Sequence, residues 1–439
     1  MQGFGVHTFR MVNAEGKSVF VKFHWRPVSG VFSLVWDEAQ KLAGKDPDFN
    51  RKNLWEDIQN GDYPEWELGL QVVPEEDEHK FDFDLLDPTK LIPEELVPVK
   101  VVGKMTLNRN PDNYFAETEQ AAFHIGHIVP GIDFSNDPLL QGRLFSYTDT
   151  QLLRLGGPNF NELPINRPVC PFHNNQRDAL HRQTINKGQA SYEPNSIDGG
   201  WPSMSDPEKE HIIAAYSFEL GKVERVFIRE RQVNEILANI DMQLASRVAA
   251  NVGVKAPSGS AAGAQKGTVK PSPALSQMNL LSGNIKSRKV AILIAEGVKG
   301  ADIDAMLAAL KKEGAMAKLI APSAAPVKSA EGKMLEPDGS MEGLPSIAFD
   351  AIFVPGDAAM LKAFEGNGVA LHYLLEAYKH LKAIALCGKS VDLAAKLALQ
   401  ADEGLLLGKD AKAITPDFFA AIANHRVWAR EEKAKAIPA

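Results

Sequence analysis

The sequence predicts a multidomain chain: an α+β part built on antiparallel strands, then a helical region, a linker, and a doubly wound α/β part. Three observations predict this. Residues 5–25 alternate apolar and polar side chains around Asn13-Ala-Glu-Gly16, the pattern of a hairpin. Residues 253–287 are rich in Ala, Gly, Ser, Pro and Lys and carry little hydrophobic periodicity, the composition of a linker. Beyond it, short continuous apolar runs alternate with helical stretches, which argues a parallel sheet. At 439 residues and 44% hydrophobic, the chain can bury a large core and should divide into two or more domains.

After the hairpin, Trp66-Glu-Leu-Gly-Leu-Gln-Val-Val73 and Val97-Pro-Val-Lys-Val-Val102 read as strands separated by acidic and proline-rich loops. A helix is expected over about 137–155. Asp137 suits its N-cap, Pro138 its first position, and Gly156-Gly157 its stop. From about Asp206 to Val252 charged and apolar stripes recur at helical spacing. In the last part Lys289-Val-Ala-Ile-Leu-Ile294, Ala317-Lys-Leu-Ile320, Ala351-Ile-Phe-Val354 and Ala383-Ile-Ala-Leu386 read as buried strands, with a helix from about Ala301 to Glu313. The expected divisions are 1–160, 161–205 (a connecting, wrapping segment), 206–252 (helical), 253–287 (linker) and 288–439.

The helix over 137–155 carries the chemistry. Leu139, Arg143, Tyr147 and Gln151 follow one another at i, i+4, with Ser146, Thr150 and Arg154 alongside, so Arg143 lies one turn from Tyr147 and can touch its phenol. A tyrosine ordinarily holds its proton to about pH 10, and a neighbouring cation favours the phenolate. A phenolate backed by a fixed positive charge is a good ligand for ferric iron. The same spacing also describes an amphipathic helix whose hydroxyl is simply paired with an arginine.

Arg143-Leu-Phe-Ser-Tyr147-Thr-Asp-Thr-Gln151 resembles the proximal haem signature of the haem catalases, in which the tyrosine is the axial iron ligand. Phe81-Asp-Phe-Asp-Leu-Leu-Asp-Pro-Thr-Lys90, Leu107-Asn-Arg-Asn-Pro-Asp-Asn-Tyr-Phe115, and Leu155-Gly-Gly-Pro-Asn-Phe160 through Asn166-Arg-Pro168 resemble catalase segments as well. The domain following the linker makes the resemblance one to the large-subunit catalases, whose C-terminal domain is flavodoxin-like and similar to class I glutamine amidotransferases. The resemblance implies a partial antiparallel catalase β-barrel, a haem of b or d type, hydrogen peroxide as substrate, and the homotetramer of the intact family. It implies Tyr147 as the metal ligand, with Arg143 keeping it ionised and Phe123, Leu139, Ser146 and Thr150 lining the proximal haem face. His124 matches a histidine that some of these enzymes link covalently to the ligand tyrosine, although Ile125 stands where that group usually has proline. The reaction implied is two-step dismutation of peroxide to water and dioxygen at ferric haem.

The family places its distal histidine and asparagine in an earlier part of the barrel, and no histidine here stands in a matching context. His7, in Gly5-Val-His-Thr-Phe9, belongs to a mid-barrel strand. The expectation is therefore a large-subunit catalase lacking the N-terminal part of its barrel, with no catalytic residue identified on the distal side. Near Gly199-Gly-Trp-Pro-Ser-Met204 the family's longer wrapping segment is also shortened. Two further functions stay open: an inactive relative that binds haem or assists assembly, and a thiol activity of Cys387.

Cys387 ends a strand ahead of Gly388 and a helix, where a thiolate would have a lowered pKa, but no His or acid stands in a recognisable partner motif, and a buried structural thiol is the better reading. Two cysteines, Cys170 and Cys387, are too few for a disulfide framework and agree with a reducing, cytoplasmic compartment. The net charge of −8 does not suggest a nucleic-acid partner, and no apolar run of membrane-spanning length occurs. The pairs His124 with His127 and His173 with His181 lack the cysteine or acidic partners of a zinc site, and Val354-Pro-Gly-Asp357 is a turn, not a glycine-rich phosphate loop.

Overall fold

The computed structural model describes residues 1–157, 160, 163–166, 200–258 and 271–438. Cys170, His173, His181, most of the 161–205 segment and part of the 253–287 linker lie outside the described residues. Among the described residues the architecture is mixed α/β, with an antiparallel half-barrel sheet, a parallel sheet and a small two-stranded antiparallel ladder. The chain divides into two compact units, Met1–Val28 with Ile58–Asn279, and Ser29–Asp57 with Leu280–Ala439.

The first unit opens with β1 (Gly3–Phe4), β2 (Phe9–Val12) and β3 (Ser18–Pro27). β2 and β3 pair antiparallel with Val12 opposite Ser18. Their turn is closed by Gly16 N–H on the Asn13 carbonyl at 3.0 Å, and Gly16 takes φ 77°, a conformation that glycine adopts without strain. Helices α1 (Trp36–Lys45) and α2 (Phe49–Gln59) come next in the chain; α1 belongs to the second unit. β4 (Glu65–Pro74), β5 (Lys100–Thr106) and β6 (Ile132–Phe134) complete the sheet, in the order β5-β4-β3-β2-β6 with β1 also on β3. β5 starts three residues later than the sequence pattern suggests. Pro98 has no N–H for a ladder, and Val97 packs instead with the buried Phe20, Val73, Leu85, Leu86 and Ile92.

Helix α3 (Pro138–Leu155) follows the sheet. Further on come α4 (Gly200–Ser203), α5 (Asp206–Gly221), α6 (Val226–Arg231), α7 (Ala238–Ile240) and α8 (Met242–Val252). Ser205 and Glu208 close a capping box on α5. The buried face of α8, Leu244, Ala245, Val248, Ala249 and Val252, keeps helical spacing and forms a core with Ile213, Leu220, Val233 and Leu237.

In the second unit β7 (Lys289–Leu293), α9 (Gly300–Lys312) and β8 (Met316–Ala321) form the first strand–helix–strand turn. The short strands β9 (Val327–Lys328), β10 (Met334–Leu335) and β11 (Gly339–Ser340) lead to β12 (Ala351–Val354). After these come α10 (Ala358–Glu365), α11 (Gly368–Lys379), β13 (Ala383–Cys387), α12 (Asp392–Lys396), β14 (Leu405–Gly408), α13 (Ala411–Ala423) and α14 (Glu431–Ala434). The sheet is parallel throughout, in the order β11-β8-β7-β12-β13-β14. Every residue of β12 and β13 is buried, which is why those strands read as unbroken apolar runs.

α1 is fastened to this unit by charge. Its Glu38, fully buried, places Oε1 2.6 Å from Lys382 Nζ and Oε2 2.9 Å from Arg426 Nη2, both cations themselves buried. The residue before it, Asp37, accepts from His380 Nε2 at 2.8 Å.

Candidate functional site

The site is built on α3. Asp137 caps it, one carboxylate oxygen accepting Leu139 N–H at 2.9 Å and Leu140 N–H at 3.0 Å, while Gly156 ends it in the left-handed conformation at φ 72°. Fully buried, Asp137 has a second task. Its other oxygen stands 2.8 Å from His7 Nδ1. The far ring nitrogen, Nε2, lies 2.9 Å from Arg143 Nη1. Arginine has only donors, so Nε2 accepts and the ring proton sits on Nδ1, facing the carboxylate. Asp137, His7 and Arg143 thus form one relay from the helix cap to the guanidinium.

Tyr147, one turn beyond Arg143, is half-buried, and its phenol oxygen accepts Phe123 N–H at 2.5 Å. Spacing alone placed the guanidinium against the phenol; instead Arg143 bonds His7 and the phenol bonds a backbone amide. An N–H donor stabilises negative charge on that oxygen. The 121–127 segment is held over α3 by further bonds: Arg154 Nη2 to Ala121 O at 2.6 Å, and Asn166, whose side chain accepts from Ala122 N at 2.6 Å and donates to Gln120 O at 2.9 Å.

His124 stands edge-on to Tyr147 with ring centres 5.4 Å apart, and stacks on His127 at 5.1 Å. Thr148 Oγ1 donates to Leu144 O, so it receives the proton of His124 Nε2 at 2.9 Å, and His124 Nδ1 accepts Gly126 N–H at 2.9 Å. Burial first, and then His127, pushes the His124 imidazole below its usual range. Among the remaining sequence candidates, Leu139, Ser146 and Thr150 are exposed along one strip of α3, Arg143 bordering it, and Phe123 is 76% exposed beside Tyr147.

Sequence reasoning found Asp137 only as a cap and His7 only as a strand residue. They meet across 130 positions, a separation that no local pattern encodes. In the second unit, Cys387 is fully buried and its thiol is pushed up to about 12, by burial first and then by Asp302 and Asp410. The lowered pKa expected for a thiolate at a helix start is therefore not realised: burial outweighs the helix terminus. Among the described residues no cluster of His, Cys, Asp and Glu could hold a metal ion, and no helix is long and apolar enough to cross a membrane.

Residues 1–199 match the catalase family model, 200–252 the model described as catalase-related immune-responsive, and 286–432 the C-terminal domain found in long catalases. Catalase HPII of Pseudomonas aeruginosa is 64% identical, the alignment covering 100% of this chain and 68% of that protein. Catalase HPII of Pseudomonas putida is 58% identical over 100% of this chain and 67% of its own length. Catalase-2 of Bacillus subtilis is 48% identical over 98% and 68%. The chain belongs to the catalase family, in its large-subunit branch: oxidoreductases that decompose hydrogen peroxide to water and dioxygen.

Proposed function

We propose that this chain carries out that reaction with Tyr147 as the axial ligand of a haem iron, of b or d type. Arg143, Phe123, His124, Leu139, Ser146 and Thr150 line the proximal side. The residues fit the group by the chemistry of the donors: the phenol oxygen takes its hydrogen bond from an amide N–H. Beside it Leu139, Gly142, Ser146 and Thr150 present an exposed strip of small and apolar groups, open at Gly142, against which a flat macrocycle can lie. Haem supplies the iron on which peroxide is split, and an anionic phenolate behind the iron favours its higher oxidation states.

The single observation that carries this reading is the Asp137–His7–Arg143 relay ending one turn from Tyr147. Each member orients the next. Asp137 sets the His7 proton on Nδ1; His7 then offers Nε2 to Arg143; Arg143 keeps a permanent positive charge on the helix face that carries the phenol. His124 packs edge-on against the Tyr147 ring and limits its rotation. The layout we propose is residues 1–160 for the haem-helix domain, interrupted in sequence by the 29–57 segment that clusters with 280–439, and 161–205 for a connecting segment. A helical region at 206–252, a linker at 253–287 and a flavodoxin-like domain at 288–439 complete it, in a cytoplasmic homotetramer.

Tyr147→Phe tests the assignment in the haem-loaded chain. Loss of the phenolate-to-iron charge-transfer absorption, with oxygen evolution down at least about 100-fold, is expected. A variant retaining both would refute Tyr147 as the ligand.

A further inference from the structure

The relay depends on where His7 is held, and strand pairing does not hold it. β1 ends at Phe4 and β2 begins at Phe9, so residues 5–8 lie outside the ladders. Gly5 N–H still bonds Phe23 O at 2.8 Å, and a Cβ at Gly5 would sit 2.7 Å from that same oxygen, so this stretch passes β3 closer than a side chain permits. What fastens the next residue is Lys22. It lies mid-strand in β3, only 3% exposed, and its ammonium donates to Val6 O at 3.1 Å and to Lys90 O at 3.2 Å. On the other side of His7, Thr8 Oγ1 donates to Leu85 O at 2.8 Å and Ser135 Oγ donates to Thr8 O. His7 is therefore clamped through its two neighbours, with a buried cation as one jaw.

A buried ammonium is expensive unless carbonyls and carboxylates surround it. Besides the two carbonyls, Asp137, Asp87 and Asp84 act on Lys22 electrostatically, and burial still brings its pKa down to about 8. Of the three carboxylates, Asp137 is the one in the relay. Without a counter-charge, Asp137 would act through His7 to offset the positive charge of Arg143. Asp87 has a cation of its own in Lys90 at 3.2 Å, and with Lys22 nearby the Asp137 charge falls on Lys22 as well as on Arg143.

We propose that Lys22 is a positioning residue of the Tyr147 centre: through the Val6 carbonyl it sets His7 between Asp137 and Arg143, and by offsetting Asp137 it leaves the Arg143 charge for the phenol. This rests on the reading of Tyr147 as the haem-iron ligand.

The test uses the full chain with Lys22→Met, Lys22→Gln and Lys22→Arg, and has two readouts. In the haem-free protein, nitrogen-15 NMR of His7 reports its tautomer. In the ferric haem-loaded protein, absorption reports the phenolate-to-iron band. The parent should show a single Nδ1–H tautomer. Lys22→Met should give a mixed tautomer, a shifted band and about tenfold weaker haem retention, and Lys22→Arg should restore both signals. Lys22→Gln keeps a donor for Val6 but not the charge, so it should preserve the tautomer and shift the band. If Lys22→Met does not fold, this pattern in Lys22→Gln with recovery in Lys22→Arg still supports the role. A parent-like tautomer and band in Lys22→Met, or a parent-like band in Lys22→Gln, would overturn it. A band unaffected by Tyr147→Phe would instead remove the ligand reading, while the His7 tautomer still judges the link from Lys22 to His7.

Discussion

Removing the Glu38 carboxylate should loosen the parallel-sheet unit more than any other single change on α1. Glu38 is fully buried, and burial alone would raise its pKa, but Lys382 and Arg426 together hold it below the usual carboxylate range. Lys382 also donates to Ser346 O at 2.7 Å and Phe349 O at 2.6 Å, so it cannot swing out to water when its partner is lost. Glu38→Ala then leaves two buried cations facing each other with no anion between them. Breaking one side of a buried pair costs about 3–5 kcal/mol. At 1.36 kcal/mol per factor of ten, amides in β12 and β13 that exchange through opening of this unit should exchange about 10²- to 10⁴-fold faster. Hydrogen exchange followed by mass spectrometry on peptides from 351–354 and 383–387 measures this directly. Peptides from β3 and β4 serve as an internal reference. Acceleration below tenfold in the β12 and β13 peptides would refute the reasoning, because it would mean the two cations find water or other anions at little cost.

Three further outcomes are expected. His425 donates from Nε2 to Ser33 O at 2.7 Å, and its pKa is pushed down to about 3 from 6.5, by burial first and then by Arg426 and Arg288. The unfolded chain takes up that proton below about pH 6.5 and the folded chain only near 3, so the stabilisation is complete above 6.5 and drains away as pH falls toward 3. His425→Asn should flatten the melting temperature against pH across that window; an unchanged slope would count against it. Cys387 should resist iodoacetamide at pH 8 in the native protein and react once urea unfolds it, as peptide mapping would show, and rapid native labelling would contradict its burial. Asp137→Ala removes a helix cap and the partner of His7 together, a loss of about 1–3 kcal/mol, accompanied by weaker haem retention; a variant with parent-like stability and haem binding would count against both roles.

Much of this arrangement is legible in the sequence wherever the physics is local. Asp137, Pro138 and Gly156 mark both ends of α3, because caps depend only on neighbouring backbone groups. The Asn13–Gly16 turn marks the β2–β3 hairpin, and the apolar runs around Val290, Ile352 and Ile384 mark the strands buried on both faces. What is not legible depends on distant partners. Trp36-Asp37-Glu38 opens α1 like an acidic, solvated first turn, yet Glu38 is buried because its counter-charges arrive more than 340 positions later. The segment 29–57, read simply as part of the first region, clusters with 280–439 for the same reason. β14 is not marked, because Leu405–Gly408 is a four-residue edge strand, too short to set a period of its own. At the site, spacing placed Arg143 and Tyr147 one turn apart but could not reveal that His7 takes the guanidinium.

The way the second unit is assembled has a temporal side. Its sequence is interrupted, with Ser29–Asp57 separated from Leu280–Ala439 by the whole of Ile58–Asn279. A ribosome adding about 5–20 residues per second needs roughly 10 to 50 seconds to cross that gap. During this interval α1 exists without Lys382 or Arg426, and Glu38 stays hydrated. The strands and helices made after residue 280 must therefore strip water from a carboxylate that was made long before them, and the unit closes only once Lys382 and Arg426 have emerged. A nascent chain stalled before residue 382 holds a complete α1 with nowhere to dock, a natural point for a chaperone or a protease to intervene.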